Sequence, residues 1–461
     1  MLSFDPAMKR GDTFETHVDS LAFGGRGVGH AEDGRVAFVD GALPDETVRA
    51  AYTKIKKEYV EAAVEDVLVA SPERVAPACN HFGTCGGCRL QHLDYPAQAR
   101  AKEAQLAETL AHVGGLGDVP VLEVIAAQDP WRYRNKMDFT FGTDREGGLL
   151  LGLHRRGRFD RVVDIEHCWL VDERVSVLLT RVREWALAHS LVPYDPRRAT
   201  GLLRYLVVRL SQGTGDVLVD LVTTSLEPPA ASALVETVRS VFAEATVVHT
   251  THQGRATAYM VEAQRTLAGT GVIEELIGGV RFEVSAQTFF PTNTAMAGLL
   301  FGVAAEAAGL RPDDRLLDLY CGTGAIGLTM AGRVASVTGL ESNEAAVEDA
   351  RRNASRNGID GARFVVAAAE ERLADLMAEQ GPFDVVIVDP PRAGLHPKAL
   401  TALAREGPAR MAYVSCNPAT LARDLAGLTE GGYRALWVRP VDMFPHTPHI
   451  EAVASIARAI S

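Results

Sequence analysis

Long apolar runs are missing from this 461-residue chain. No stretch reaches the ~20 apolar residues that a bilayer-spanning helix needs. The first residues, MLSFDPAMKRGDTFE, carry no apolar targeting segment. The expectation is a cytoplasmic protein with no membrane partner. Cysteine is scarce too, at six residues, which excludes a disulfide scaffold at this length. Repeats and low-complexity tracts are absent. Positive charge is in deficit, with a formal net charge of −12. That argues against nucleic acid held by bulk electrostatics but leaves room for local basic grooves.

What is present is the mix of a soluble globular protein, 47% hydrophobic and 23% charged. The length suits two or three domains. Residues 1–70 hold short alternating runs such as RVAFVD and YVEAAVEDVL between glycine-rich turns. About five such strands predict a small barrel of the OB type. Residues 71–285 open with SPERVAPACNHFGTCGGCRLQH, which carries three of the six cysteines. A helix is predicted over about 95–113, ended by Gly114 and Gly115 and able to pack on the C-terminal domain. Strand-like runs such as KMDFTFG and LRYLVVRLS alternate with helical ones, so the rest of this range reads as a central α+β domain. Over 286–461 apolar strand-length runs alternate with helical stretches, the signature of a doubly wound, Rossmann-like α/β sheet.

On such a sheet ligands bind beyond the carboxyl ends of the strands. LLDLYCGTGAIGL puts Asp318, Gly322 and Gly324 at a strand-to-helix turn, where glycines let the backbone approach a ligand. Glu341 ends the next strand, about 20 residues on, where a carboxylate can accept hydrogen bonds from ribose hydroxyls. The D-x-x-x-G-x-G form resembles class I methyltransferases, which bind S-adenosylmethionine. Cys321, beside the glycine loop, reads as a packing residue.

The segment VSCNPATLARDL puts Cys416 at the end of a strand, just ahead of a helix. Asn417 is a favoured N-cap and Pro418 suits the first turn. The helix dipole there predicts a stabilised thiolate. A thiolate beside a methyl donor suits pyrimidine chemistry: addition to C6 makes C5 nucleophilic, and a base must later take the C5 proton. DMFPHTPHIEAVA supplies Glu451 as that base, with His446 and His449 nearby. VIVDPPRAGLHP ends another strand with Asp389, placed to hydrogen-bond the cofactor or a base edge.

Three separated motifs, DPPRAGLHP, SCNPATLARDL and DMFPHTPHIE, together resemble the RNA uracil-C5-methyltransferase family. The resemblance implies Cys416 as nucleophile and Glu451 as general base. It puts Tyr320, Glu341 and Asp389 on cofactor contacts, beside Gly322 and Gly324. It also makes the N-terminal barrel similar to a TRAM domain, which grips RNA. This chain departs from the family at three positions. Pro291 stands in FFPTN where the family has a cofactor-touching Gln, with Gln287 the candidate to stand in for it. Ala325 replaces a usual Asn, and Ala368 replaces an acidic or amide residue.

Cys79, Cys85 and Cys88 have C-x5-C-x2-C spacing, and Cys168 follows in DIEHCWL. Four cysteines suit either zinc or a [4Fe–4S] cluster. The ribosomal-RNA branch of the family implies the cluster. The short tRNA T-loop branch lacks barrel and cluster, so the architecture favours 23S ribosomal RNA, with tRNA as the alternative. The basic runs WRYRNK (131–136) and HRRGRFDR (154–161) are candidates for phosphate contact and base stacking. A monomer acting on RNA is expected.

Overall fold

The computed structural model describes residues 8–255 and 261–459. Strands Thr13–His17, Ser20–Ala22, Arg26–His30, Val36–Asp40, Thr47–Ile55 and Tyr59–Val69 form one six-stranded sheet, one strand more than expected. Side chains alternate in and out along these strands. Phe14, Val39, Val48 and Val60 fill the small core.

The cysteine-bearing segment 71–92 forms no regular strand. It lies on the hairpin Leu149–Arg155/Arg158–Asp164. Gly86 N–H donates to the His154 carbonyl (3.0 Å), and Arg156 N–H donates to the Thr84 carbonyl (2.9 Å). That hairpin ends a seven-stranded central sheet running from Ala263–Ala268 through Thr246–Thr251, Val217–Thr223, Leu203–Leu210 and Lys136–Thr143. Helices Arg174–Ala188 and Ala231–Arg239 cover its apolar face through Leu178, Val182, Leu234 and Val238.

The C-terminal sheet has the order Ala362–Val366, Ser336–Glu341, Arg315–Leu319, Val385–Val388, Arg410–Ser415, Glu451–Arg458, Tyr433–Val441. The first five strands are parallel. Glu451–Arg458 is inserted antiparallel between its two neighbours. The chain order reverses between Arg315–Leu319 and Val385–Val388, which opens the crevice where such sheets bind ligands.

Three segments from the 71–285 range pack on this C-terminal unit. Helix Tyr95–Gly114 lies on it through Leu106 and Leu110, and residues 120–125 bond along the edge strand, with Leu122 N–H to the Val438 carbonyl at 2.8 Å. The hairpin Val272–Ile277/Val280–Ser285 buries Ile273, Phe282 and Val284 in a separate core cluster, with Leu316, Val385 and Ile387 of the sheet. Among the described residues, no helix is long and apolar enough to cross a membrane.

Candidate active site

Cys416 and Glu451 are brought together by strand register. The antiparallel pair runs from Arg410 opposite Ala457 to Ser415 opposite Ala452. The ladder ends there, so Cys416, the next residue on one strand, and Glu451, the next on the other, meet at its end, close enough for the Glu451 charge to act on the thiol. Glu451 itself is paired with Val441 on its other side. A one-residue slip would turn both side chains away.

The loop after Val385–Val388 is locked onto the helix that follows Cys416. Asn417 caps that helix, its side-chain oxygen accepting from Ala419 N–H (3.1 Å) while its amide donates to the Arg392 carbonyl (3.0 Å). Buried Asp424 accepts from Leu395 N–H (2.7 Å) and from the Tyr413 hydroxyl (2.6 Å). Arg423 donates to the Ala393 carbonyl (3.0 Å). Gly394 has φ +77°, and a Cβ there would come within 2.6 Å of Asp424 and closer still to Arg423. The two motifs therefore fold as one unit that presents Asp389 and Arg392 to the cysteine.

Arg392 is the functional residue that sequence reasoning misses, although it lies inside a motif. Its guanidinium faces the Cys416 thiol and favours the thiolate. The expectation of a resting thiolate is nevertheless corrected. Burial of Cys416, then the negative charges of Glu451 and Asp389, raise its pKa against the pull of Arg392. Glu451 is only 9% exposed, and burial together with Asp389 lifts its carboxyl well above the usual range. Asp389 is raised to about 7, by burial first and by Asp318 second. His446 and His449 are both lowered to about 4, chiefly by burial, so both are neutral near pH 7.

The glycine loop faces the crevice from the other side. Tyr320 and Gly322 both have left-handed backbones (φ +66° and +53°). A Cβ at Gly322 would meet nothing within 4 Å, whereas Gly327 is pressed against Asp318 and Val337. Gly327 is thus the helix–strand packing glycine, and its N–H donates to Asp318 (2.8 Å). Asp318 is fully buried, and its second carboxylate oxygen has no partner. Burial raises its pKa to about 7. Glu341 accepts from Gly322 N–H (3.3 Å) and Asn343 N–H (2.8 Å). An open glycine turn with a carboxylate at the next strand end fits an adenosyl cofactor. Cys321 is buried and, with its thiol raised by burial, remains a packing residue.

At the departures from the family, Pro291 uses its carbonyl to accept from the Asn135 side chain (2.9 Å). Gln287 is exposed at the lip of the same segment. Ala325 starts the helix after the glycine loop, and Ala368 stands as N-cap with no side-chain cap bond.

The four clustered cysteines share one neighbourhood. Cys88 interacts electrostatically with Cys168, Cys85 and Cys79. Burial raises the thiols of Cys88 and Cys168 to about 12 and about 11. N–H groups are already aimed at sulfur: Gly87 at Cys85 (3.4 Å), the Gln91 side chain at Cys88, and the Leu170 backbone at Cys168. Among the described residues, however, no group of three or more His, Cys, Asp or Glu side chains is arranged to hold a metal ion. The thiols are gathered but not closed into a ligand set.

The two basic runs separate. WRYRNK is largely structural: Tyr133 and Asn135 are buried, Arg132 pairs with Glu173 (2.9 Å) and Lys136 with Asp138 (2.6 Å). HRRGRFDR forms an exposed hairpin tip, with Phe159 86% exposed and Arg156 reaching back to Asp40 of the N-terminal sheet.

Comparison with known proteins follows the same division. A family model described as tRNA (Uracil-5-)-methyltransferase matches residues 272–458, and a TRAM domain model matches residues 8–64. An uncharacterized RNA methyltransferase of Gloeobacter violaceus is 38% identical over 457 residues, covering 98% of each chain. One from Halalkalibacterium halodurans is 37% identical over 448 residues, covering 97% of each. Among solved structures, the Pyrococcus abyssi tRNA (uracil-54, C5)-methyltransferase in complex with S-adenosyl-L-homocysteine is 30% identical, with a TM-score of 0.77. That match covers 96% of this chain and 99% of the other. Fold and matches together define an RNA methyltransferase built on a Rossmann-like sheet with an N-terminal TRAM domain. The chain belongs to the RNA (uracil-5-)-methyltransferase family.

Proposed function

We propose that this chain methylates C5 of a specific uridine in structured RNA, with Cys416 as nucleophile and Glu451 as general base. The meeting of these two residues at the end of one strand ladder, where the Glu451 charge acts on the Cys416 thiol, carries the reading. Tyr320, Gly322, Gly324, Glu341 and Asp389 would hold S-adenosylmethionine, which when bound supplies the methyl group from a sulfonium. Cys416 loses its proton to solvent, the resulting thiolate being favoured by the Arg392 charge, and adds to C6. The electron pair displaced toward C5 takes the methyl group, and the electrons of the broken carbon–sulfur bond stay on the donor sulfur, which would leave as a neutral thioether. Glu451 then removes the C5 proton, the C5–H electrons form the C5–C6 double bond, and the C6–S bond breaks to return the thiolate. The raised pKa of Glu451 makes it a stronger base once it is ionised.

Cys416→Ala is expected to give neither methylation nor a covalent protein–RNA species. Glu451→Gln should still add and methylate, then stall, because a general base contributes about 10²–10⁴-fold. An RNA-linked band carrying labelled methyl on a denaturing gel is the readout. Wild-type turnover by Glu451→Gln would sink the assignment of the base. Against a decayed, RNA-binding-only protein stands the presence of both the thiol and the carboxylate, close enough to influence each other.

We take 23S ribosomal RNA as the first substrate to test. The P. abyssi protein, described as a tRNA (uracil-54) enzyme, matches 96% of this chain, so an N-terminal barrel does not separate ribosomal from transfer RNA. That match keeps the tRNA T-loop as a second reading. Mass mapping of 5-methyluridine in both RNAs, with and without the gene, decides between them.

We further propose that Cys79, Cys85, Cys88 and Cys168 hold a [4Fe–4S] cluster. Support comes from the shared neighbourhood of the four thiols and from the N–H groups aimed at sulfur, which favour thiolate ligands. Anaerobically purified protein should be brown, with about four irons per chain, and Cys168→Ser should lose iron and stability. Stoichiometric zinc without iron would overturn this.

A further inference from the structure

We propose that His446 is a positioning residue that ties the cysteine-bearing segments to the catalytic carboxylate. His446 lies in the loop leading to Glu451, with a left-handed backbone (φ +64°) and only 3% exposure. A non-glycine residue holds that conformation only where its surroundings impose it. Here they come from two sides.

The first side is the segment bearing Cys88. The His446 carbonyl accepts from the backbone N–H groups of both Arg89 (2.9 Å) and Leu90 (3.0 Å), the two residues after that cysteine. The Gln98 side chain completes this clasp. Its carbonyl oxygen accepts from His446 N–H (2.9 Å), and its amide lies 3.1 Å from Nδ1 while also donating to the Leu90 carbonyl (2.9 Å). The two N–H groups of Gln98 Nε2 are shared among the Leu90 carbonyl, the Leu93 carbonyl (2.8 Å) and His446 Nδ1.

The second side is the segment bearing Cys168. The His446 ring stacks on Trp131, with centroids 3.8 Å apart and planes at 22°. Trp131 meets Trp169, the residue after Cys168, edge to face at 5.9 Å. Next to it, Arg132 N–H donates to the Trp169 carbonyl (2.9 Å) and Arg134 N–H to that of Leu170 (2.8 Å). The Tyr133 hydroxyl donates to the Pro445 carbonyl (3.0 Å). Both cysteine segments therefore converge on Pro445–His446, and only the short run Thr447–Ile450 separates this clamp from Glu451.

A displaced clamp would misplace Glu451 while leaving Cys416, the glycine loop and the exposed hairpin untouched. A misplacement of about 1 Å can cost about 10²-fold in rate. The step affected is proton removal from C5. This inference rests on Glu451 being the base, so the test runs Glu451→Gln in parallel. His446→Ala loses the stack, the Nδ1 acceptor and any ease in the left-handed region. His446→Asn tolerates that backbone and keeps a short acceptor toward Gln98. Trp131→Leu breaks the stack from the other side, and Trp131→Phe retains it.

His446→Ala and Trp131→Leu are expected to lower kcat by tenfold or more, with KM for RNA changed little. Both should accumulate the methyl-labelled RNA adduct, as Glu451→Gln does. Trp131→Phe, which keeps the stack, should restore most of the turnover, and His446→Asn, which keeps the backbone and an acceptor but not the stack, should recover only part of it. A uniformly loosened protein would lose adduct and turnover together. If Glu451→Gln accumulates adduct while soluble His446→Ala and Trp131→Leu do not, the positioning role is overturned. If Glu451→Gln accumulates none, the base assignment falls instead. Should His446→Ala fail to fold, the Trp131→Leu and Trp131→Phe pair carries the same decision.

Discussion

At the scale of single residues, the site is a contest of charges around one sulfur. Burial and two carboxylates hold the proton on Cys416, and Arg392 pulls the other way. Arg392 also lowers Glu451. Both groups must be ionised to act, so the rate should rise with pH through an acid limb. Removing the guanidinium in Arg392→Gln raises both pKa values and moves that limb to higher pH. Below the limb each of the two groups contributes about a tenfold loss for each unit by which its pKa is raised, and the two proteins should converge at high pH. Initial rates across pH, at saturating RNA, read this directly; an unmoved limb would mean that Arg392 does not act on the thiol. Cys416, Glu451, Asp389 and the glycines are legible in the sequence because each sits at a strand end inside a short motif. Arg392 is not, although it lies inside one, because its role depends on a loop folding back 24 residues before Cys416 in the chain. The resting protonation of the thiol is hidden for a related reason. A helix N-terminus is visible in sequence, but the carboxylates that oppose it arrive from other strands.

At the scale of elements, helix Tyr95–Gly114 belongs energetically to the catalytic sheet. Lys102, 1% exposed, meets Asp442, fully buried, at 2.6 Å and also donates to the Phe444 carbonyl (3.1 Å). Asp442 begins the loop that leads to Glu451. Lys102→Met leaves a buried carboxylate without its cation, and such losses cost about 3–5 kcal/mol. A correspondingly lower urea midpoint is expected, with part of the loss recovered by adding Asp442→Asn, which removes the stranded charge. No recovery in the double variant would show that the pair does not act through charge. Helix existence and its end at Gly114–Gly115 are readable from amphipathic spacing and the glycine stop. Its buried lysine is not, because lysine in a helix usually marks a solvated face. The hairpin Val272–Ile277/Val280–Ser285 falls by sequence in the central range, since alternation reveals a strand but not the core it faces.

At the scale of the whole molecule, the acidic total and the RNA substrate are reconciled by local placement. The tip of the hairpin 149–164 carries Arg155, Arg158, Phe159 and Arg161 in exposed positions, while WRYRNK is consumed in packing. Arg155→Ala and Arg161→Ala together should weaken RNA binding at every sequence and flatten the salt dependence by about one unit for each phosphate no longer neutralised. Phe159→Ala should weaken binding without altering that slope, because stacking releases no counterions. Titrations at several salt concentrations separate the two; an unchanged slope in the arginine variant would move the RNA path elsewhere.

The inserted strand Glu451–Arg458 has a mechanical consequence. Cys416 directly follows the strand Arg410–Ser415, which is bonded on both flanks, to Val385–Val388 and to Glu451–Arg458. An RNA covalently tethered to that sulfur and pulled along the strand axis loads many backbone hydrogen bonds at once, in shear, instead of opening them one at a time from an edge. A stalled adduct should therefore resist force well, with the nucleic acid yielding before the sheet does.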